Sequence, residues 1–279
     1  MRAARADLAV AGEFPFTWAD FRTLAALVQD ESGIVLPDSK ANLVYSRLSK
    51  RLREKGLSNF GDYCDLVTRS GDERQALIAA MTTNVTRFFR EPHHFDHLAR
   101  AVLPRLVETA RKGGKIRIWS AACSSGEEPY SIALTLLAAM PDAANHDVLI
   151  LASDIDPNMV AAGKAALYPA ARLADIPKDL QGRNIEDHGA HFRFAQGVRA
   201  LVRFRPLNLL KDWPMKRPFD TIFCRNVMIY FDSATQDGIW ARFAALLPPG
   251  GHLYIGHSER IASDRFALVA QTAYRRAPK

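Results

Sequence analysis

Trp119-Ser-Ala-Ala-Cys-Ser-Ser-Gly-Glu-Glu-Pro-Tyr-Ser-Ile-Ala133 is the stretch whose reading decides the fold. The residues leading into it, Lys115 to Trp119, alternate basic and apolar side chains, and small residues, a glycine and a helix-starting Glu-Glu-Pro follow. This is the pattern of a nucleotide-binding strand-to-helix turn. Small side chains from Ser120 to Gly126 let a ligand approach the backbone, and the first turn of the next helix offers unpaired N–H groups. Glu127 and Glu128, however, stand where a pyrophosphate would be repelled. A ligand with a cationic end suits the turn better.

Composition bounds what surrounds this turn. The chain has 279 residues, 48% hydrophobic and 24% charged, which is ordinary for a soluble globular protein and long enough for a large core and a smaller one. No apolar run approaches the ~20 residues of a membrane span, so no direct membrane insertion is expected. Arg2, Arg5 and Asp7 precede only a short apolar stretch, Leu8 to Ala11, too short for a secretory signal, and a cytoplasmic location is expected. Cys64, Cys123 and Cys224 are odd in number and lack Cys-x-x-Cys spacing, which argues against a disulfide framework or zinc knuckle. They read as reduced packing thiols. The net charge of +7 points to an acidic partner without choosing its class.

Upstream of the turn the pattern is helical. Thr17 and Asp20 form a capping-box pair before Phe21, Leu24, Ala25 and Val28, which recur at helical spacing. A second helix, capped by Asp38, is expected to run to Lys55 with Val44, Tyr45, Leu48 and Leu52 on one face and Gly56 ending it. Short helices over Phe60 to Thr68 and Glu73 to Met81 complete a small all-α domain, residues 13–82. Thr82-Thr-Asn-Val-Thr-Arg-Phe-Phe-Arg-Glu91 then opens the second domain, residues 83–279, with a linker at 83–91 too rich in distinctive residues to be a spacer.

Downstream, a helix from about Pro92 to Arg111 leads into alternating strands and helices, the signature of an open α/β sheet covered on both faces. Strands are expected at Ile116–Ala122, Asp147–Ser153, Val202–Leu207, Phe219–Cys224 and Gly251–Gly256. Helices are expected at Pro129–Met140 and Ser233–Leu247, and a terminal strand or strand pair at Phe266–Arg275. The mixed stretch Lys164–Ala200 is a candidate for a small β insertion. Asp154 falls at the carboxyl end of the second strand, the position that takes ribose hydroxyls, and Asp156 reads as a turn or cap residue.

Two ligand classes compete for the first turn. A dinucleotide expects Gly-x-Gly-x-x-Gly, of which only Gly126 survives. S-adenosylmethionine has no phosphate but carries a methionine ammonium, which an acid at the helix start can pair, and a nucleoside for Asp154. The residues favour the methyl donor.

Three blocks occur in order: the linker Thr82–Glu91, the turn Trp119–Tyr130, and Cys224-Arg-Asn-Val-Met-Ile-Tyr-Phe-Asp232, with Gly256-His-Ser-Glu259 as a fourth. On these the chain resembles the chemotaxis receptor glutamate O-methyltransferases from about Phe21 to its C-terminus. The resemblance implies a Rossmann-like S-adenosylmethionine-dependent methyltransferase sheet behind a small helical domain. It also implies methyl transfer to glutamates on the cytoplasmic helices of a methyl-accepting chemoreceptor. A glutamate with a free pKa near ~4.3 is already ionised at neutral pH, so no general base and no Ser-His-Asp or Cys-His arrangement is needed.

Site residues follow from the resemblance, position by position. Arg90 and Tyr230 are expected beside the transferring methyl group. Asn84, Thr86 and Arg90 are expected to contact the cofactor from the linker, Glu128 to take its ammonium and Asp154 its ribose. Asn208 and Leu209 are expected near the adenine, and Asn226 and Val227 to line the cofactor, with Arg225 adjacent. Arg87 departs from the small residue many relatives carry there. Arg47, Lys50, Arg51 and Arg53 form a basic face expected to dock acidic receptor helices, although such runs often serve only as a solvated helix face.

Other readings are weaker. His93, His94 and His97 suggest a metal, since His93 and His97 lie four apart on a helix, but no acid or cysteine completes a convincing set, and no metal is expected. A nucleic-acid methyltransferase of the amino-methylating kind would carry an Asp/Asn-Pro-Pro-Tyr loop where this chain has Asn226-Val-Met-Ile-Tyr230, so no nucleic-acid partner is expected. Against a non-catalytic module that senses S-adenosylmethionine or merely docks receptors, the presence of Arg90, Glu128, Asp154 and Tyr230 together argues for activity. Lys164–Ala200 looks short for binding a receptor tail peptide, and nothing indicates more than a monomer.

Overall fold

A computed structural model describes residues 7–278; Arg2 and Arg5 lie outside the described residues. Two compact units emerge from the packing. The first holds the described residues up to Thr83 together with Tyr230–Asp232, and the second holds Asn84–Ile229 and Ser233 onward.

The first unit begins with two short antiparallel strands, β1 (Leu8–Val10) and β2 (Phe16–Thr17), which the helical pattern gave no hint of. Helix α1 (Trp18–Ser32) starts at the expected capping box, with Thr17 Oγ1 accepting the Asp20 N–H and Asp20 accepting the Thr17 N–H. Helix α2 (Ala41–Lys55) ends at Gly56, which turns left-handed at φ 67°. Asp38 does not cap it: Asp38–Lys40 forms a separate 3-10 turn, and α2 has no side-chain cap. Helices α3 (Phe60–Arg69) and α4 (Gly71–Met81) follow, the second capped by Ser70 accepting the Glu73 N–H. Apolar faces of all four helices meet in one core that includes Phe21, Leu24, Val44, Leu48, Phe60 and Leu77. The half-buried Tyr230 packs on that core, and its carbonyl accepts the Val35 N–H at 3.0 Å.

The second unit opens with α5 (His93–His97), a π-type turn over Leu98–Val102, and α6 (Leu103–Arg111). The expected single helix is thus interrupted, for a chemical reason: Pro104 has no N–H to continue the ladder. Next come β3 (Ile116–Ala121), α7 (Glu127–Ala139), β4 (Val148–Asp154) and α8 (Pro157–Ala165). The candidate insertion contains β5 (Leu167–Pro169), α9 (Lys178–Gln181), β6 (Ile185–His188) and β7 (His191–Phe194), in a three-stranded antiparallel sheet of order β5-β7-β6. The chain finishes with α10 (Gln196–Ala200), β8 (Val202–Pro206), β9 (Thr221–Cys224), α11 (Ser233–Leu246), β10 (His252–Tyr254), β11 (Phe266–Ala270) and β12 (Ala273–Arg276).

These strands make a seven-stranded sheet of order β11-β12-β10-β9-β3-β4-β8. The five strands from β10 to β8 run parallel, and β12 and β11 add antiparallel at one edge. Parallel strands are covered on both faces, which explains why Ile118, Trp119, Ile150, Ala152, Ile222 and Phe223 are all buried. From β3 the chain winds outward through β4 to β8, then returns to the other side of β3 at β9. A crevice therefore opens at the carboxyl ends of β3 and β9, where open α/β sheets bind ligands.

Candidate cofactor site

The turn after β3 is built from left-handed residues. Ala122, Ser124 and Gly126 have φ of 58°, 49° and 100°. Only glycine fits at 126, because a Cβ there would lie 2.9 Å from Tyr168 Oη and 3.0 Å from both Gly163 Cα and Phe204 Cζ. Ser124 ties this turn to two others: its N–H donates to Asp154 Oδ2 at 2.7 Å, and its hydroxyl donates to the Asn84 carbonyl at 2.9 Å. Asp154 Oδ1 accepts the Asp156 N–H at 2.9 Å, and Asp156 in turn caps α8 and accepts from Asn84 Nδ2 at 3.1 Å. Burial pushes the Asp154 carboxyl above its ordinary pKa, opposed by those backbone N–H groups.

Glu127 and Glu128, whose charges looked out of place, each have a cationic partner distant in sequence. Glu127 is buried, accepts from Ser125 Oγ at 2.6 Å and pairs with Arg172 at 3.1 Å. Glu128 accepts from Ser120 Oγ at 2.7 Å and pairs with Arg225 at 3.0 Å. The Arg225 side chain is 3% exposed; it also pairs with Glu91 at 3.2 Å and donates to the Arg90 carbonyl. Two carboxylates thus share one buried guanidinium. Burial pushes the Glu128 carboxyl up despite Arg225, whereas on Glu91 the Arg225 charge and the His257 hydrogen bonds outweigh burial and hold the carboxyl down. The excess of carboxylate over guanidinium suits a ligand ammonium, so the donor set fits S-adenosylmethionine and not a phosphate.

The linker is tied to this turn, to α7 and to the insertion. Phe89 and Glu91 are left-handed, with φ of 50° and 58°, while Phe88 is buried against Tyr168, Phe192 and Phe194. The Phe89 N–H donates to Ser131 Oγ at 3.0 Å, and Arg90 Nη1 donates to the Val85 carbonyl at 3.1 Å. Arg172, from the insertion, donates to the Thr86 carbonyl at 2.6 Å. Arg87 is exposed.

The remaining expected residues also follow strand carboxyl ends. Asn208 and Leu209 come after β8, where Asn208 Oδ1 accepts the Leu210 N–H at 2.9 Å and Leu209 is buried. Asn226 and Val227 come after β9, with Asn226 left-handed at φ 59°. Among the residues assigned from sequence, Asn84, Thr86, Arg90, Glu128, Asp154, Asn208, Leu209, Asn226 and Val227 all belong to the second unit, and Tyr230 belongs to the first. Glu91, Arg172, Arg225 and Glu259 were missed or left without a role. Glu91 and Glu259 stood inside matching blocks, but Arg225 and the N–H groups of Asn226, Val227 and Met228, which they hold, lie too far along the chain for spacing to reveal.

One further expectation changes. An acid does join the histidines: Glu91, His93 and His94 place possible ligand atoms within 4.8 Å of one another. The Arg225 guanidinium on Glu91 opposes a second cation there, and His93 and His94 both face the Thr272 hydroxyl. Cys123, in the turn after β3, is buried, and burial pushes its thiol well above the ordinary range, in keeping with a packing thiol.

In the first unit, the four docking candidates divide. Arg47 caps the end of α4, donating to the carbonyls of Ala80, Met81 and Thr82 at 3.2, 3.0 and 2.9 Å. Arg51 makes a two-pronged pair with Glu73, itself 2% exposed, at 2.9 and 2.7 Å. Both are part of the bundle's own architecture. Arg53 pairs with Glu13 on the surface at 2.6 Å, and Lys50, 80% exposed, has only a 3.8 Å contact with Glu54.

The sheet order, the turn after β3 and the acids around it define an S-adenosylmethionine-dependent methyltransferase domain. Residues 84–275 match the model of the CheR methyltransferase, SAM binding domain, and residues 19–82 match that of the CheR methyltransferase, all-alpha domain. The chain belongs to the CheR methyltransferase family. It is 48% identical over 258 residues to a probable chemotaxis protein methyltransferase of Rhizobium etli, covering 89% of this chain and 96% of that one. It is 43% identical to the chemotaxis protein methyltransferase of Escherichia coli strain K12, with 92% and 90% covered. Chemotaxis protein methyltransferase 2 of Pseudomonas aeruginosa is also 43% identical, with 94% of each chain covered. Among the described residues no helix is long and apolar enough to cross a membrane.

Proposed function

We propose that this protein transfers a methyl group from S-adenosylmethionine to glutamate side chains on the cytoplasmic helices of a chemoreceptor, forming methyl esters. The observation that carries the reading is the pair of carboxylates, Glu91 and Glu128, sharing the buried Arg225 beside the turn after β3. Bound S-adenosylmethionine supplies an electrophilic methyl group on a positively charged sulfur. Glu128 would hold its ammonium, and Asp154 its ribose. Asn84 and Thr86 would border it from the linker, Asn208 and Leu209 would face the adenine, and Asn226 and Val227 would line the remaining side.

The acceptor glutamate is ionised at neutral pH and needs no base, so the protein's task is orientation, which can supply roughly 7 to 11 kcal/mol of a barrier. Arg90 would steady the incoming carboxylate and the methionine end, and Tyr230 would help position the reacting groups. Lys50 and Arg53 would meet acidic receptor helices as a monomeric enzyme approaches from the cytoplasm.

Incubation with methyl-labelled S-adenosylmethionine and receptor membranes tests the reaction. Label released as methanol by mild base is the expected result; label that survives base means N-methylation and sinks the ester. Glu128→Gln is expected to weaken S-adenosylhomocysteine binding at least about tenfold, the scale of a lost charge-assisted hydrogen bond.

A further inference from the structure

The fourth matching block, Gly256-His-Ser-Glu259, ends in a carboxylate with an unusual set of partners. Glu259 is 5% exposed. Its Oε1 accepts the N–H groups of Val227 and Met228, each at 2.8 Å, and its Oε2 accepts those of Asn226 at 3.1 Å and Gly256. Three of these donors are successive residues of the loop after β9. Asn226 is left-handed, so the N–H groups that follow it leave the sheet ladder and converge on one point, forming an anion-binding nest. Buried donors without a partner are costly, and Glu259 satisfies all of them with one group.

The approach is close enough to demand glycine on the opposing strand end. A Cβ at Gly256 would lie 2.4 Å from Asn226 Nδ2 and 2.7 Å from its backbone nitrogen. The block therefore has two parts with one purpose: Gly256 lets the loop in, and Glu259 holds it.

We infer that Glu259 is the positioning residue of the cofactor loop. Through the N–H groups of 226–228 it fixes where Asn226 and Val227 stand, while being too buried to serve as a surface contact itself. The inference rests on the proposed reading of Asn226 and Val227 as cofactor contacts. Glutamine at 259 offers one acceptor oxygen and turns an NH2 group toward donors, which opens the nest. Aspartate keeps the charge on a shorter arm.

Titration calorimetry with S-adenosylhomocysteine on the full-length wild type, Glu259→Gln, Glu259→Asp and Asn226→Ala tests this, alongside urea unfolding and receptor-methylation kinetics. Glu259→Gln is expected to weaken binding at least about tenfold and Glu259→Asp by less, with the KM for receptor unchanged. Folded Glu259→Gln that binds like wild type overturns the inference, as does a loss confined to kcat, which is what a merely structural role produces. Should Glu259→Gln not fold, Glu259→Asp decides: weaker binding supports positioning, and unchanged binding overturns it. Asn226→Ala separates the two readings. If it binds like wild type, the loop is not a cofactor contact; if it binds weakly while Glu259→Gln does not, only the role of Glu259 falls.

Discussion

Arg225 holds Glu128 in a 3.0 Å ion pair with its own side chain only 3% exposed, so a charge at the start of α7 is neutralised from the end of β9. The same guanidinium reaches Glu91 in the linker. One arginine therefore joins three segments that are far apart in sequence. Removing it strands two largely buried acids, whose side chains are 11% and 12% exposed. Arg225→Met is expected to destabilise the protein by about 3–5 kcal/mol, the cost of breaking a buried pair from one side. Adding Glu128→Gln should recover part of that loss. Urea unfolding of the single and double variants checks it, and a loss below ~1 kcal/mol for Arg225→Met means the pair is not structural.

How much of this was legible in the sequence depends on the range of the interaction. The capping box at Thr17, the stop at Gly56 and Asp156 as the cap of α8 are contacts within a few residues, and each appeared as read. Strand and helix order was legible because apolar periodicity is local. The interruption at Leu98–Val102 was also visible in principle, since Pro104 marks it. The pairings of Arg225 with Glu128 and of Arg51 with Glu73 span 97 and 22 residues, and no spacing rule carries that far. The strands β1 and β2 are too short to leave a period.

A histidine cluster makes stability fall with acid. His94 is fully buried, and burial, then the charges of Arg225 and His93, hold its pKa well below the ordinary value against the opposing pull of Glu91. Burial, with His97, Arg275 and Arg105, holds His252 down to about 4. The fold selects the neutral rings, while the unfolded chain takes up protons near ~6.5. The stabilisation is complete above that pH and is lost as pH falls toward the folded values, at up to about 1.4 kcal/mol per pH unit for each group. Glu91, with its folded pKa depressed, adds a loss of the same sign below the ordinary carboxylate range. Unfolding free energies at stepped pH should show a shallower acid decline for His94→Gln than for wild type. Parallel curves would rule out a contribution from His94.

The basic helix separates docking from architecture. Lys50 is mostly solvent-exposed, so Lys50→Glu is expected to leave stability within about 0.5 kcal/mol while lowering apparent receptor affinity. Added salt should weaken wild-type methylation of receptor and do so less in the variant. Arg51→Glu instead sets a second acid against the buried Glu73 and should cost about 3–5 kcal/mol before any receptor is present. Receptor KM values and unfolding midpoints for both variants decide the matter. If Lys50→Glu leaves receptor KM and its salt dependence untouched, the exposed face of α2 does not dock.

Arg172 links the three-stranded insertion to the start of α7 and to the linker. Its guanidinium pairs with buried Glu127 at 3.1 Å, and the same nitrogen donates to the Thr86 carbonyl at 2.6 Å. Thr86 sits between Asn84, bound to Asp156, and the left-handed pair Phe89 and Glu91, so its carbonyl is a natural point from which to steady the linker. Among the described residues, Arg172→Ala leaves Glu127 with the Ser125 hydroxyl as its side-chain partner and should cost roughly 1–3 kcal/mol, discounted toward the lower end because Arg172 is 34% exposed. The sharper expectation is local. Amide hydrogen exchange over residues 85–91 should quicken well beyond the global change, because the linker loses an anchor that the sheet does not share. Exchange that rises equally throughout the second unit would mean that Arg172 supports the fold as a whole and has no particular hold on the linker.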